Sequence, residues 1–465
     1  MIRSLDRLLC VSAMTVVTGV SPGDAFAASR DPLAAMRESV QPGCAVAVLD
    51  PAGPRFDAAG LTDLEAATPI TSRTGFLIAS ASKQFTALAV LTLVDAGRIE
   101  LDAPAARWLP DMAGALQGAT VRQLLNQTAG VRDHTILMAL SGIERLSEAP
   151  PDSTLAMMRG LDSGNFAPGS RAAYSNGNYL MLAQLVERVS GRTLADYARE
   201  TLFAPLGMTG TGFAAEGLTT HGYRRLRDGS FRIADDQPSL PGSGGLVTTA
   251  EDLARFDAAF RAGRGPWTAT VKALFVEPGR LTDGSVAVLP EFGTPYGAGV
   301  GLEDRDGVVW LSHDGGSEGF RAEYVRQAET AVGAIVLCNR TDVNPGAIAE
   351  ALLGVPATAP SPPAPSAPRP APEPASESAR AGLVGRWTSA ETGIDYDIRP
   401  AEDGVRVTIR SPLSPEPITE DWGGLRAGAD GEVVTGPLRL KADGDRLTVS
   451  FGRRVEALVF RRTAS

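Results

Sequence analysis

Lysine is scarce in this chain of 465 residues. Lysine and arginine together number 44, and only Lys83, Lys272 and Lys441 are lysine, which leaves 41 arginines. Arginine replaces lysine wherever only a positive charge is needed, but it cannot replace a lysine that must lose its proton. A lysine retained in such a chain is therefore a candidate base. Lys83 is the strongest candidate because it follows Ser80 by three residues at the start of an apolar segment.

Other scarcities exclude whole classes of function. The chain has three histidines; His134 and His221 are far apart, and no cysteine cluster lies near either, so no metal site or other cofactor is expected. No apolar run of about 18 residues occurs beyond the N-terminus, which predicts no membrane span. The net charge of −10 and the pI near 5.1 argue against a nucleic-acid or anionic-membrane partner.

The N-terminus has the pattern of a secretory signal. Arg3 and Arg7 precede an apolar stretch from Leu8 to Val20, and Ala25-Phe-Ala27 is a small-residue cleavage site. We predict that residues 1–27 are a signal peptide, cleaved after Ala27, and that the protein is periplasmic or secreted. A frayed terminal helix is the alternative.

Removal of that segment takes Cys10 with it and leaves two cysteines. Cys44 and Cys338 each lie at one end of an apolar, strand-like run. Two buried thiols are the common state of unpaired cysteine, whereas an oxidising compartment favours a bridge. The sequence leaves both possibilities open.

Strand-like segments near both ends of residues 28–354 enclose a mainly helical stretch. This order predicts an α+β domain, with an antiparallel sheet built from the two chain ends, flanking helices and an all-helical lobe. The predicted strands are 44–49, a second after the turn at 50–53, and 308–312, 320–326 and 331–338. The predicted helices are 31–40, 85–94, 178–189, 194–202 and 345–353.

A proline-rich segment separates this domain from the C-terminus. Nine of the nineteen residues from 356 to 374 are proline, which predicts a semi-rigid linker over 355–380. Residues 381–465 then alternate apolar and polar side chains between Gly turns, typical of a small antiparallel β-domain, a barrel or a sandwich. The strands expected there are 395–398, 405–409, 438–440, 447–451 and 457–460.

The first chemical motif is Ser80-x-x-Lys83. Residues three apart on a helix share one face, so the amine can reach the hydroxyl. A helix N-terminus beside the serine also offers backbone N–H groups to a developing negative charge. To act as a base, the amine must titrate well below about 10.4, and burial shifts its pKa in that direction. A capping serine with a solvated lysine is the alternative.

Two further motifs carry polar side chains suited to catalysis. In Tyr174-Ser-Asn176, a phenol can shuttle a proton if a cation holds down its pKa, and an amide can accept from the lysine and donate to substrate. In His313-Asp-Gly315-Gly316, glycine at an edge strand lets a ligand approach the backbone. Alone, each motif has a structural alternative, a packed tyrosine or a structural histidine.

In this order and spacing, the three motifs resemble those of the serine β-lactamase and penicillin-binding-protein superfamily. The flanking text is similar too, over about residues 30 to 354: FLIASASKQFTALAVLTLVDAGRIELDAPAARWLP, LLNQTAGV, PGSRAAYSNGNYLMLAQLVERVSG, LFAPLGMTGTGF, GSGGLVTTAEDLARF and HDGGSEGF. The nearest resemblance is to class C β-lactamase-like serine hydrolases, which include esterases, D-stereospecific peptidases and amidases. It implies an antiparallel sheet flanked by helices, with the site between the sheet and the helical lobe.

The resemblance also implies roles. Ser80 is the implied nucleophile, Lys83 accepts or relays its proton, Tyr174 is the partner acid/base and Asn176 contacts substrate. The backbone N–H groups of Ser80 and Gly316 form the implied oxyanion hole.

Two departures from the family pattern refine this expectation. His313 stands where β-lactamases carry the lysine of Lys-Thr-Gly, and we expect it to be catalytic, with Gly315 beside the substrate. Asp314 follows, and its negative charge is expected to disfavour a substrate carboxylate. Histidine at this position resembles the esterase and D-aminopeptidase branch. Gln127 replaces a histidine common in relatives, in a loop expected to be structural.

The sequence therefore predicts an exported serine hydrolase that cleaves a small ester, amide or D-amino-acid peptide through an acyl-enzyme on Ser80. A non-catalytic receptor that binds penicillin or peptidoglycan is one alternative, and a true β-lactamase is another. The C-terminal β-domain weakly resembles the lipocalin-like appendages of some such hydrolases. We expect this β-domain to shape substrate entry, or to contact a protein partner or the cell wall.

Overall fold

The computed structural model describes residues 31–213, 218, 220–354 and 373–463, in a mixed arrangement of helices and sheets. The predicted signal peptide and most of the predicted linker lie outside these residues. Within them, no helix is both long enough and apolar enough to cross a membrane.

A six-stranded antiparallel sheet joins the two ends of the first 354 residues, as the sequence predicts. In spatial order its strands are Gly301–Arg305, Val308–Gly316, Arg321–Gln327, Gly333–Cys338, Cys44–Leu49 and Arg55–Ala59. The N-terminal hairpin therefore pairs with the last strand of the C-terminal group. The predicted helix at 31–40 is reduced to one turn, Ala34–Arg37.

Both faces of this sheet are covered by helices, because its central strands are apolar on both sides. Val46 and Val336 pack in a cluster with Ile348 of helix Pro345–Leu353. The residues before and after each of these valines point to the other face of the sheet, where they belong to the main core together with Phe256 of helix Ala250–Ala262. The sheet is therefore the middle layer of three.

Cys44 and Cys338 form a disulfide across two adjacent strands of this sheet. They are directly opposed in the antiparallel register, with their Cα atoms 4.0 Å apart. The bridge joins two residues that are 294 positions apart in the sequence, and it links the N-terminal hairpin to the strand Gly333–Cys338.

The stretch between the two groups of strands forms the helical lobe. Several of its helices begin with a capping side chain, for example Thr120, Asp133 and Ser175. The helices are Lys83–Asp95, Ala113–Leu116, Val121–Leu125, His134–Leu140, Pro151–Gly160, Asn176–Ser190, Leu194–Ala198, Ala204–Leu206 and Ala269–Phe275, with a π-helical turn at Arg199–Phe203. Short strands also occur at Phe76–Leu77, Gly212–Phe213, Tyr223–Arg225, Phe231–Ile233 and Leu246–Thr248.

The C-terminal residues form a curled nine-stranded antiparallel sheet. In spatial order its strands are Ser414–Gly423, Gly404–Ser411, Asp395–Ala401, Gly385–Thr388, Val455–Arg462, Arg446–Phe451, Leu438–Asp443, Val433–Thr435 and Arg426–Ala427. The prediction of a small antiparallel β-domain is confirmed, and the curled sheet forms half of a barrel. Ser414–Gly423 has no counterpart among the predicted strands, because it is a mostly exposed edge strand with two prolines and shows little apolar alternation.

This sheet is packed against the helical lobe. The Tyr396 hydroxyl donates to the Leu140 carbonyl at 2.8 Å, and the Glu456 carboxylate pairs with Arg171 at 2.5 Å. A helix, Glu377–Leu383, begins inside the segment predicted to be linker. The domain limits 28–354, 355–380 and 381–465 remain a prediction.

Candidate active site

Ser80 lies on a tight turn between the sheet and the helical lobe. The turn is a 3-10 helix, Ala79–Ser82, which runs directly into the helix Lys83–Asp95. Ala79 has a φ of 45°, in the left-handed region that non-glycine residues rarely adopt. Such strain persists where surrounding contacts hold it and is concentrated at functional sites.

Lys83 is buried directly beside the Ser80 hydroxyl. Its Nζ donates to Asn176 Oδ1 at 2.8 Å and to the Ser243 carbonyl at 2.7 Å, and it lies 3.3 Å from Ser80 Oγ. The side chain is fully buried, so the sequence alternative of a solvated lysine is wrong. Ser80, Lys83 and Asn176 are brought together as the motifs predict.

Burial lowers the pKa of Lys83 well below its ordinary value. The positive charge of Arg454 lowers it further, while Asp133 and Asp314 act in the opposite direction. This shift favours the neutral amine, which is the form that can accept the Ser80 proton.

Tyr174 lies against this amine. The Lys83 Nζ is 4.8 Å from the centre of the Tyr174 ring. Burial raises the pKa of Tyr174, and the smaller influences of Ser80 and Arg454 in the opposite direction do not offset it. Tyr174 is therefore a neutral phenol, suited to donating a proton rather than to acting as a phenolate. Its hydroxyl has no aligned hydrogen-bond partner among the described residues.

Asn176 connects the lysine to a buried carboxylate. Its Oδ1 accepts from Lys83, and its Nδ2 donates to Asp133 Oδ2 at 3.1 Å and to Thr135 Oγ1 at 3.2 Å. The Asn176 backbone N–H donates to the same Asp133 oxygen at 3.0 Å. The amide N–H groups that were expected to face substrate are thus directed to Asp133 and Thr135.

His313 lies in the same cluster but does not hydrogen-bond to Tyr174 or Ser80. Its Nδ1 is 2.6 Å from the Asp314 carbonyl, which can only accept, so Nδ1 carries the proton. Nε2 then accepts from the Tyr296 hydroxyl at 2.9 Å. Burial, helped by the charge of Lys83, lowers the pKa of His313 to about 3. A neutral imidazole with both nitrogens bonded can orient neighbours, and any catalytic role remains a prediction.

The two glycines after His313 have different surroundings. Beyond Ser312 their strand is paired on one side only within the described residues, as expected for an edge. A Cβ on Gly315 would be 2.0 Å from the Ile78 carbonyl oxygen, so close packing against the Ser80 turn, rather than approach by a ligand, requires glycine there. Gly316 is the one that borders the cleft beside Ser80.

That cleft encloses about 680 Å³ of space, including space that is open to solvent. Its lining includes the carboxylates Glu144, Asp236 and Glu318 and no lysine or arginine. Asp314 is not part of it. Asp314 is opposed to Glu323 on the sheet, and Glu323 lies 3.8 Å from the Cβ position of Gly346 in the Pro345–Leu353 helix. Asp314 thus shares a face of the sheet with Glu323 and does not border the cleft in which the sequence suggested that it would repel a substrate carboxylate.

Two residues at this site, Asp133 and Arg454, were not identified from the sequence, and the contacts of a third, Gln127, were not predicted. Asp133 caps helix His134–Leu140, a position that the pattern of an acidic residue before a helix could have revealed. Gln127 Oε1 accepts from the Ser175 N–H at 3.0 Å, which agrees with the structural role predicted for its loop. Arg454 comes from the C-terminal sheet, and its Nε is 3.2 Å from Asp133 Oδ2.

No group of three or more potential metal-ligating side chains occurs in the described part of the chain.

A serine beside a buried lysine, on a turn between an antiparallel sheet and a helical lobe, is the arrangement of a serine hydrolase of the β-lactamase fold. The chain belongs to the beta-lactamase family, since the model of that family, described as Beta-lactamase, matches residues 33–359.

Individual relatives agree with this assignment. A D-aminopeptidase of Cereibacter sphaeroides is 29% identical over 401 residues, which cover 84% of this chain and 72% of the relative. A D-aminopeptidase of Brucella ovis is 30% identical over 404 residues, which cover 83% of this chain and 70% of the relative. A penicillin-binding protein from Bacillus halodurans is 26% identical with a TM-score of 0.54, covering 65% of this chain and 92% of that one. A D-stereospecific amidohydrolase from Streptomyces sp. shares the fold, with 21% identity, a TM-score of 0.56, and coverage of 70% and 97%.

Proposed function

We propose that the protein hydrolyses amides or short peptides of D-amino acids that carry a free amino group, through an acyl-enzyme on Ser80. The observation that carries this proposal is the fully buried Lys83 amine, 3.3 Å from the Ser80 hydroxyl. A base of this kind is what a serine needs to attack an amide carbonyl at neutral pH.

In the first half-reaction, Lys83 takes the Ser80 proton as Oγ bonds to the carbonyl carbon. The oxyanion that forms is stabilised by the backbone N–H groups of Ser80 and Gly316, each worth about 3 kcal/mol of barrier in such sites. The C–N bond then breaks, and the leaving amine takes its proton from Tyr174, which lies against Lys83 and recovers a proton from it. Water repeats the sequence on the ester and releases the acid.

The cleft supports a cationic substrate end. Of the three carboxylates that border it, Glu318 is ion-paired with Arg224, and Asp236 accepts from the neutral backbone N–H groups of Leu146 and Ser147. Since no lysine or arginine is part of the lining, we propose that it favours an ammonium group over a carboxylate. A β-lactam or a C-terminal peptide carboxylate therefore fits this lining poorly. The preference for D-amino acids is proposed from the named relatives, the D-aminopeptidases.

A panel of four chromogenic substrates tests the specificity. D-alanine p-nitroanilide should be hydrolysed, its N-acetyl derivative at least about tenfold less efficiently, and the L-enantiomer and nitrocefin hardly at all. Efficient nitrocefin turnover would instead indicate a true β-lactamase. Equal rates for the free and acetylated amines would contradict recognition of the ammonium group.

Covalent labelling tests the acyl-enzyme. A fluorophosphonate or an activated ester should modify Ser80 and not Ser82, a buried serine on the same turn whose hydroxyl accepts from the Leu246 N–H. Ser80→Ala should abolish both labelling and turnover. If Ser80→Ala hydrolyses the anilide as well as wild type, the mechanism is wrong; permanent acylation without product release would favour a penicillin-binding receptor.

We also propose export, with residues 1–27 as a cleaved signal peptide. The Cys44–Cys338 disulfide supports an oxidising compartment. Mass spectrometry of the native protein should find its N-terminus at Ala28, and an intact Met1 on the mature protein would contradict export. Contact of the C-terminal sheet with the cell wall or a partner protein is a further proposal, to be tested by sedimentation with peptidoglycan.

A further inference from the structure

The C-terminal sheet places one charged side chain beside the catalytic cluster. Arg454 is the last residue of the turn between the strands Arg446–Phe451 and Val455–Arg462. Its Nε is 3.2 Å from Asp133 Oδ2, and its guanidinium carbon is 5.2 Å from the centre of the Tyr174 ring. Asp133 is fully buried and the Arg454 side chain is 14% exposed.

We infer that Arg454 is a positioning residue for the hydrolase reaction, supplied by the C-terminal sheet, which holds Asp133 and neutralises its charge next to Lys83. The inference rests on the function proposed above for Ser80 and Lys83. It gives the C-terminal sheet a part in catalysis that its own sequence does not reveal.

The contacts form a continuous path from Arg454 to the nucleophile. Asp133 Oδ2 is ion-paired with Arg454 and accepts from both the backbone and side-chain N–H groups of Asn176. Asn176 Oδ1 then accepts from Lys83, whose Nζ is 3.3 Å from Ser80 Oγ. Loss of Arg454 would leave a buried carboxylate without its ion-pair partner at the start of this path.

The backbone holds Arg454 in place. Its carbonyl accepts from the Asp133 N–H at 2.9 Å and from Asn165 Nδ2 at 2.9 Å. The Glu456 N–H donates to Asn165 Oδ1 at 2.8 Å. This turn is thus fixed on the helical lobe independently of the Arg454 side chain, so a substitution can change the charge without detaching the sheet.

Charge balance explains why an arginine is useful at this position. Asp133 and Asp314 favour the protonated form of Lys83 and so oppose the burial that lowers its pKa. Arg454 counters them and lowers the pKa of Lys83, and it also lowers the pKa of Asp133. The titratable or charged groups that influence this cluster are Asp133, His134, Tyr174, Tyr179, His313, Asp314 and Arg454.

The sign of the effect follows from this balance. Without the charge of Arg454, the pKa of Lys83 rises, so the base loses its proton only at higher pH. The acid limb of the pH profile of kcat/KM, which is the range where activity rises as the base loses its proton, should therefore move to higher pH. A purely structural loss would lower the whole profile without moving that limb.

The test compares full-length Arg454→Met, Arg454→Gln and Arg454→Lys with wild type, using p-nitrophenyl acetate, which does not titrate in this range. Arg453→Met is the matched control, because that exposed side chain precedes Arg454 on the same turn. We expect the two neutral variants to lose about tenfold in kcat/KM on the acid side, less than threefold on the alkaline plateau, and to shift the limb upward. Arg454→Lys should restore the wild-type limb, and Arg453→Met should not alter it.

A folded neutral variant whose acid limb coincides with that of wild type overturns the inference, even if its overall activity is lower. Arg454→Gln keeps a neutral N–H donor on the side chain beside Asp133, so we expect it to provide a folded variant should Arg454→Met unfold. Wild-type labelling of Ser80 is measured in parallel. If wild type itself is not acylated, the proposed function fails; if it is acylated and the limb does not move, only the role of Arg454 fails.

Discussion

Substitution of Gly315 by alanine probes how closely the sheet must approach the nucleophile turn. The new Cβ would lie 2.0 Å from the Ile78 carbonyl oxygen and 2.9 Å from its carbon. Since such contacts need at least 3.0 Å, the strand and the turn must separate by about 1 Å. A displacement of about 1 Å costs on the order of 100-fold in rate. Loss of one oxyanion donor, the role proposed for the neighbouring Gly316 N–H, costs about 3 kcal/mol of barrier, a similar factor.

We therefore expect Gly315→Ala to lower kcat by about 100-fold and stability by about 1–3 kcal/mol, from overpacking. Gly301→Ala is the matched control on the adjacent strand, because its Cβ would meet its nearest neighbour, the Ser312 carbonyl oxygen, at 3.4 Å. Steady-state kinetics and urea denaturation measure the two effects. A folded Gly315→Ala enzyme within about threefold of wild-type kcat/KM would refute the argument, as would an equal loss in Gly301→Ala.

Three further outcomes are expected. Lys83→Arg should lower kcat by about 10²–10⁴-fold, because a guanidinium cannot act as a base, whereas Lys441→Arg should have wild-type kinetics; an active Lys83→Arg would contradict a base at this position. The pKa of His313 falls to about 3, below that of the unfolded chain, so stability should decrease as pH falls from about 6.5 towards 3, by up to about 1.4 kcal/mol per pH unit from this group. His313→Gln should flatten that decrease in urea denaturation measured from pH 7 to 4, and an unchanged slope would show that His313 is not buried in its neutral form. Replacing both Cys44 and Cys338 by alanine should cost about 2–4 kcal/mol, and no loss in a denaturant titration would mean that the native protein lacks the bridge.

Much of the fold could be predicted because local patterns reflect local burial. The apolar run that begins at Cys44 and the one that ends at Cys338 are central strands with both faces covered. The helix Pro345–Leu353 has the predicted limits, since Asn344 caps its start and Gly354 ends it with a left-handed residue. The strand Ser414–Gly423 was missed because an exposed edge carries no burial pattern to recognise.

The candidate site divides in the same way. Ser80 and Lys83 meet because they are three positions apart at the start of one helix, and Asn176 joins them as its motif suggested. The partners of His313 depend on tertiary packing, which directs its ring to Tyr296 instead of Tyr174.

Arg454 gave no sequence signal at all. It is one of 41 arginines, and it lies more than 300 residues from Asp133 along the chain. Its contact with Asp133 exists only because the C-terminal sheet packs on the helical lobe. Pairings of this kind follow from the shapes of two packed surfaces, which periodicity and motif spacing do not encode.

The protonation state of Lys83 is the most direct test of the account, and the scarcity of lysine makes it measurable. Uniform labelling of lysine with ¹³C at Cε should give three resonances, and the Lys272→Arg/Lys441→Arg double variant should leave only that of Lys83. We predict that this resonance titrates with a midpoint well below the ordinary lysine value of about 10.4, in the folded enzyme. A midpoint at or above that value would mean that the amine stays charged beside Ser80, which would contradict its role as the base.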